Sequence, residues 1–331
     1  MTASPASIEI RRRWWADRPR SAYFARRFLR LIVSLVVLLT LTFAMIHLVP
    51  GDPVRASLGL TAPAQLVKQR RAQLGLDKPL WQQYGDYVNR AVHGDFGTSL
   101  TSGEPVTQLV RTRLPTTLRL AGLAFLAAVL IGVPLGVLGA ARTRDGRRRY
   151  SELAFTATTG AFASVPSFLL AVGLIYLFGI KWRVLPVAEE TGVSSYVLPI
   201  AALAIGPAFA LARIVRVEGL KVLEEDYIRT ARGKRLSARL IYLRHALPNM
   251  LTATLTIAGL LLGGLIAGTV LIEYIFAWTG LGSTLVNSVT AKDYPVVQAV
   301  ALVFGFFILV INFVVDMLLA IINPQSTILD Q

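Results

Sequence analysis

The stretch LIVSLVVLLTLTFAMIHLV, from Leu31 to Val49, indicates the class of protein to which this chain belongs. It contains no aspartate, glutamate, lysine or arginine, and it is long enough to cross the roughly 30 Å hydrocarbon core of a bilayer as an α-helix. Inside a membrane every backbone polar group must be bonded within the protein, which a helix achieves by itself. The stretch therefore predicts a transmembrane helix.

The composition of the whole chain agrees with a membrane protein. Of its 331 residues 54% are hydrophobic and only 16% are charged, and the formal net charge is +15. No nucleic-acid motif accompanies that charge, so we expect no nucleic-acid partner. The chain has no cysteine, and its three histidines lie far apart in sequence, so neither a thiol nucleophile nor a metal site is expected.

Five further apolar segments follow, at about 120–140, 153–180, 197–212, 251–272 and 296–321. We therefore predict an all-α integral membrane protein with six transmembrane helices. The predicted organisation is a basic tail (1–30), the first span (31–49), an external helical subdomain (50–116), a five-helix core (117–322) containing a polar loop (217–250), and a final tail (323–331).

Arginine and lysine indicate the orientation, because short basic loops are not easily carried across a membrane. They concentrate in the N-terminal tail, in ARTRDGRRRY (141–150) and in the polar loop, which lie on one side when six spans alternate. We predict that this side and both termini are cytoplasmic. Segment 50–116, with helical spacing around the turn-prone DKP, then faces outward, either as a cap over helix ends or as a docking or gating surface.

The polar loop contains DYIRTARGKRLSARLIYLRHALPN, from Asp226 to Asn249, and we call segment 217–250 the basic loop. Apolar or small residues recur three to four apart in each half, which predicts two helices. The first stripe is Leu220, Leu223, Tyr227 and Ala231; the second is Leu240, Leu243 and Leu247. Ser237 is a candidate N-cap of the second helix. This pattern fits both an amphipathic loop in the lipid headgroups and a knob that inserts into a partner's groove.

A resemblance distinguishes these alternatives. The basic loop resembles the EAA loop of permease subunits of binding-protein-dependent ABC importers, in the dipeptide/oligopeptide branch. HLVPGDPV (47–54), LGLDKPLWQQYGDYVNRAVHGDFGTSL (74–100), RLPTTLRLA (113–121) and GLGSTLVNSVTAKDYPVVQA (280–299) resemble the same branch in the same order. The resemblance implies a type I ABC importer permease of the bacterial plasma (inner) membrane.

In that family the EAA loop couples to an ATPase subunit, and a small Ala231 would permit the ATPase to approach closely. The residues assigned to coupling by resemblance are Glu224, Glu225, Asp226, Tyr227, Arg229, Thr230, Ala231, Arg232, Gly233, Lys234, Arg235 and Leu236. No phosphate-binding P-loop motif occurs, so ATP and Mg are expected in partner chains and the subunit is not expected to be an enzyme. The implied partners are two ATPase domains, a second related permease and an extracytoplasmic substrate-binding protein.

This chain departs from the family's usual text at two positions. Arg235 and Thr279 stand where the family usually has glycine and proline. Glycine would allow a turn with positive φ at low cost. Either Arg235 therefore occupies a different turn, or Gly233 adopts the positive φ in its place.

Four residues in the spans are candidate pathway or hinge positions: Ser164, Pro166, Pro199 and Pro207. Proline removes a backbone donor, which membranes tolerate where neighbours or cavity water satisfy the freed groups; simple packing kinks are the alternative. Asp316, near the end of the sixth span, is expected to pair with an arginine. A secondary transporter would instead require free ionisable groups at membrane depth, and only Asp316 comes near that requirement.

The expected cargo is short peptides. Nickel complexes, glutathione or another small solute are the alternatives within the branch.

Overall fold

A computed structural model describes residues 5–48, 54–55, 63–73, 75–144, 149–188 and 192–322. The predicted tail 323–331 lies outside them. The described chain is helical apart from turns and one isolated bridge between Thr98 and Pro105.

Helices α1 (Pro5–Leu48), α2 (Ala64–Gln73) and α3 (Leu80–Val92) come first, followed by the long α4 (Val106–Thr143). Next come α5 (Arg149–Ser164) and α6 (Ser167–Leu174), which continues as a π-helix to Lys181. The second half consists of α7 (Val197–Glu224), α8 (Asp226–Gly233), α9 (Ala238–Leu240) with a π-helical turn (Ile241–Ala246), α10 (Leu247–Ile275), α11 (Leu281–Thr290) and α12 (Tyr294–Ile322).

Five helical segments of the described chain are long and apolar enough to span a membrane: Phe24–Leu48, Val106–Thr143, Val193–Glu224, Ile257–Ile275 and Tyr294–Leu318. The segment predicted as one span at 153–180 is instead a pair of helices, α5 and α6, bent by 90°. Pro166 lies at the break because it cannot continue the α5 hydrogen bonding. With this pair counted as one broken span, the all-α prediction with six spans is confirmed.

The helices pack as a bundle with two distinct ends, in which α4 and α7 run parallel to each other. Helix α4 lies along α7, and α10 contacts α4, α7 and α12. Close approach of α4 and α7 requires Gly136, because a Cβ there would lie 2.7 Å from the carbonyl oxygen of Ala212 and 2.5 Å from Cβ of Val215. The basic loop joins α7 to α10 at one end, and segments α2–α3 and α11 lie at the opposite end.

Helix α1 is peripheral, and two polar contacts hold it against α12. Arg27 near one end of the α1 span pairs with Asp316 near the end of α12, which confirms the predicted arginine partner for that carboxylate. Deeper along the helices, Nε2 of Gln298 donates a hydrogen bond to the Thr42 carbonyl oxygen at 2.8 Å. Both contacts satisfy polar groups that lipid could not.

Candidate functional site

The basic loop forms a helix-turn-helix at the end of the bundle. Helix α7 ends at Glu224, Glu225 is extended, and α8 then occupies Asp226–Gly233. After a turn, Oγ of Ser237 accepts a hydrogen bond from the Leu240 amide at 3.4 Å, which confirms the predicted N-cap. The loop is therefore two helices that leave the bundle and return to it.

A buried apolar cluster fixes this loop to the spans. Leu223, Ile228 and Met250, each at most 1% exposed, pack with smaller residues of α4, α8 and the π-helical turn. Burying a leucine or isoleucine side chain contributes roughly 1.5–3 kcal/mol. The cluster therefore ties α8 to α4, α7 and α10.

The predicted first stripe is wrong at one position. Tyr227 is 43% exposed, and Ile228 occupies the buried face instead. The stripe assumed one continuous helix, but extended Glu225 interrupts it and resets the helical register between Leu223 and α8. The hydroxyl of Tyr227 has a raised pKa because of its partial burial and, to a smaller extent, the neighbouring Glu225 carboxylate, so it remains protonated at neutral pH.

The predicted second stripe is wrong at two of its three positions. Leu240 and Leu243 are exposed, whereas Ile241 and Ala246 are buried. The two buried residues are five positions apart because the chain forms a π-helical turn there, with bonds from i to i+5. A stripe based on 3.6 residues per turn therefore selects the wrong face.

The turn after α8 contains a residue with a positive φ. Arg235 itself has φ of +55°, while Gly233 lies in the last turn of α8 without a positive φ. The Arg235 amide donates to the Arg232 carbonyl at 2.8 Å and the Leu236 amide donates to the Ala231 carbonyl at 3.3 Å. This pair of bonds is a Schellman motif, in which the residue at the position of Arg235 is usually glycine.

The candidate coupling residues divide between an exposed surface and a buried support. Glu224, Glu225, Asp226, Tyr227, Arg229, Thr230, Gly233, Lys234 and Arg235 are exposed. Arg232 is half-buried and donates from Nη2 to the Leu223 carbonyl oxygen at 3.5 Å, and Leu236 packs against the buried cluster. Ala231 is only 6% exposed, so its small side chain contributes to packing within this chain, and the close approach of a partner at Ala231 stays a prediction.

The exposed charges on α8 are weakly held. The Asp226 carboxylate and Arg229 guanidinium approach to 3.3 Å on the surface, and such exposed pairs contribute about 0–1 kcal/mol. A partner that offers a better geometry can therefore separate them at little cost. The exposed surface of α8 is chemically able to bind complementary charges.

Sequence reasoning missed a buried arginine beside the loop. Arg216 is 9% exposed and joins three helices: Nη2 lies 2.7 Å from Oε1 of Glu152, and Nε donates to Oγ1 of Thr143 at 2.9 Å. Its guanidinium also lies 5.6 Å from the centre of the Phe155 ring. An arginine inside an apolar segment was the available signal, because such a charge requires partners.

Of the four candidate pathway or hinge residues, two lie at the break between α5 and α6 and two lie in α7, and their pathway role stays a prediction. Ser164 and Pro166 lie together at the break between α5 and α6. Pro207 lies inside α7. Pro199 is buried in the first turn of α7, where an amide has no intrahelical acceptor, so it disrupts nothing there, contrary to the prediction.

Two buried carboxylates organise the opposite end, and sequence reasoning missed both. Glu273 is fully buried, and its Oε2 accepts the Gly282 and Ser283 amides at 2.7 and 3.2 Å, satisfying the first turn of α11. A Cβ on Gly280 would lie 2.2 Å from the same oxygen, so the glycine is required for this contact. Neighbouring Thr279 is exposed, so this contact places no comparable restriction on its side chain.

The second carboxylate, Asp293, is 1% exposed. It accepts the Leu100 amide at 3.0 Å, the Thr101 hydroxyl at 2.8 Å and a hydrogen bond from the Ser99 hydroxyl. It thereby attaches the segment before α4 to the start of α12. Among the described residues no group of three histidine, aspartate or glutamate side chains could hold a metal ion.

Comparisons with known proteins agree on one family. Residues 132–327 match the binding-protein-dependent transport system inner membrane component family, and residues 21–121 match the N-terminal part of such membrane components.

The Glutathione transport system permease protein GsiC of Escherichia coli (strain K12) is 38% identical over 302 residues, covering 91% of this chain and 97% of the relative. GsiC of Salmonella typhimurium is 39% identical over 303 residues, with the same shares covered.

Among solved structures, an inward-facing conformation of the MetNI methionine ABC transporter aligns with a TM-score of 0.57 at 21% identity, covering 66% of this chain and 99% of that chain. At that identity the likeness supports the fold alone. It confirms the predicted type I importer permease architecture.

Proposed function

Because the chain belongs to the family of binding-protein-dependent transport system inner membrane components, we propose that it forms one half of the translocation pathway of an ATP-driven importer of short peptides. Membership makes it a multi-pass inner membrane permease subunit of an ABC importer and not an enzyme. The proposed partners are a second related permease, two ATPase domains that bind ATP and Mg, and an extracytoplasmic substrate-binding protein. The basic loop and both termini then face the cytoplasm, because arginine and lysine concentrate at that end.

The observation that carries the coupling role is the construction of α8. Its charged residues are exposed, while Ile228 and Ala231 fix it to a cluster shared by α4, α7 and α10. A lever needs a surface for its partner and a rigid attachment to the parts it moves. Helix α8 has both, so ATPase closure pulling on α8 would be transmitted to three spans.

The cargo rests on chemistry and on relatives. The permeases named for glutathione are 38–39% identical over 91% of this chain, and glutathione is itself a tripeptide, which is compatible with a peptide-type cargo. Glutathione, nickel complexes and other small solutes are the alternatives to short peptides. A secondary transporter would require a free ionisable group at membrane depth. Asp316, the residue that came nearest to this requirement, is instead paired with Arg27.

The coupling proposal is tested with Gly233→Glu. Gly233 is exposed, and an added Cβ meets no atom within 4 Å, so the chain itself accommodates the change. Exposed Gln108, at the opposite end, provides the matched control Gln108→Glu. The tagged chain is purified in mild detergent, and copurifying subunits are quantified by mass spectrometry.

We expect Gly233→Glu to lose the P-loop ATPases while retaining the second permease, and Gln108→Glu to retain both. Retention of the ATPases and of ATP-dependent uptake by Gly233→Glu would contradict the coupling role. Ala231→Glu is a poor test, because it buries a carboxylate in the cluster and disrupts the loop itself.

The cargo proposal is tested by uptake in cells that depend on this permease. Labelled dipeptide, glutathione and a nickel complex are compared, each with an excess of the other two as competitor. Dipeptide uptake that the nickel complex does not inhibit supports the proposal, and uptake of glutathione without dipeptide favours the glutathione alternative. Uptake of the nickel complex alone contradicts it.

A further inference from the structure

We propose that α3 is an interfacial membrane helix, with its apolar stripe inserted into the lipid leaflet at the end of the bundle opposite the basic loop. Segment 50–116 is predicted to be an external helical subdomain. Within it, the contacts of α3 place this helix beside a membrane span.

The depth of α3 follows from its contacts with α1. The hydroxyls of Tyr84 and Tyr87 lie 2.9 Å from the hydroxyls of Thr40 and Thr42, respectively. Thr40 lies eight residues before Leu48, the last residue of the α1 span, or about 12 Å along the helix axis at about 1.5 Å per residue. Helix α3 is therefore attached well below the end of a transmembrane helix.

The length of the α1 span limits how far this contact can lie outside the hydrocarbon. Phe24–Leu48 has 25 residues, a length of about 37 Å, which exceeds the roughly 30 Å hydrocarbon core by about 7 Å. Even if all of the excess projects at the α3 end, Thr40 remains about 5 Å inside the core. Amphipathic helices that lie on membranes bury their apolar face about 5–10 Å into this boundary.

The faces of α3 match this position. Trp81 and Val92 are 73% and 74% exposed and, with half-buried Val88, lie along one side of the helix at spacings of seven and four. Gln82 and Asn89 lie on a different, polar side. Tryptophan is favoured where one end of its ring meets lipid and the other meets water. The stripe thus has the composition of a membrane-contacting face.

Helix α1 also exposes an apolar side chain close to its contacts with α3. Leu41 is 63% exposed and lies between Thr40 and Thr42, the two residues that contact α3. A peripheral helix whose described neighbours are mainly α12 and α3 presents its remaining face to lipid. The occupant of the α3 stripe is therefore the same phospholipid that covers α1.

The absence of cysteine from all 331 residues makes this proposal directly testable. Single cysteines are introduced by Trp81→Cys, Val92→Cys, Asn89→Cys and Leu41→Cys, and each is spin-labelled in the full chain, together with its copurifying subunits, in nanodiscs of phosphatidylethanolamine and phosphatidylglycerol. Power-saturation EPR then measures accessibility to oxygen, which partitions into lipid, and to a water-soluble nickel chelate. Leu41→Cys is the lipid reference and Asn89→Cys the polar-face control.

We expect labels at 81 and 92 to resemble the label at 41, with high oxygen and low nickel accessibility, and the label at 89 to show the reverse. High nickel accessibility at both 81 and 92 would place the stripe in water and overturn the proposal. Protection from both reagents would mean that a protein partner covers the stripe, which also overturns it. Val92 is exposed, so its replacement tests the proposal even if Trp81→Cys fails to assemble.

Discussion

Replacing Arg235 with glycine is expected to stabilise the turn of the basic loop. Arg235 holds φ of +55° at the end of α8, and a non-glycine residue in this left-handed region costs about 1–2 kcal/mol. Glycine relieves that cost but adds conformational freedom to the open chain, about 0.5–1 kcal/mol. The expected net gain is therefore about 1 kcal/mol in the free energy of opening the turn.

The assay is hydrogen exchange of the Leu236 amide, which donates to the Ala231 carbonyl at 3.3 Å in this turn. A gain of about 1 kcal/mol slows exchange through local opening roughly fivefold, after correction for the intrinsic rate. The matched control is Lys234→Gly. It removes the same charge one position earlier, where φ is −77°, so it relieves no strain.

Because Lys234→Gly adds only chain entropy, we expect it to speed exchange of the same amide severalfold. The two substitutions should therefore have opposite signs. If both accelerate exchange, Arg235 is not strained and the Schellman turn assigned here is wrong. If both slow it, the removal of charge rather than the backbone geometry explains the result.

Three further outcomes follow from the packing and the buried polar groups. Asp293→Ala should speed exchange of the Leu100 amide roughly 10- to 150-fold in hydrogen-exchange mass spectrometry, because a hydrogen bond to a charged group contributes about 1.5–3 kcal/mol; an unchanged rate would contradict its anchoring role. Gly136→Ala should lower the thermal stability of the detergent-solubilised chain by an overpacking cost of about 1–3 kcal/mol, because the added Cβ lies 2.5 Å from α7. The control Gly160→Ala, whose added Cβ meets no atom within 4 Å, should be close to neutral. Tyr87→Phe removes the hydroxyl that lies 2.9 Å from the Thr42 hydroxyl, so a spin label on α3 should gain mobility; unchanged mobility would show that this contact does not hold α3 against α1.

Some of the basic loop was predictable because its signals are local. Ser237 caps a helix through an amide three residues ahead, and this depends only on neighbouring sequence. The break into two helices is local as well. The buried faces were not predictable, since the extended Glu225 and the π-helical turn at Ile241–Ala246 each change the register that a 3.6-residue period assumes.

The class of this protein follows from its local sequence, because apolar runs long enough to cross a bilayer have few alternatives to a helix. The partners of the buried polar groups follow instead from the packing of the helices. Asp293 meets Leu100 across 193 positions of the chain and Arg216 meets Glu152 across 64, and no local pattern records such distances. The same holds for Ala231 and Tyr227, whose buried and exposed roles depend on how α8 packs against the spans rather than on their own spacing.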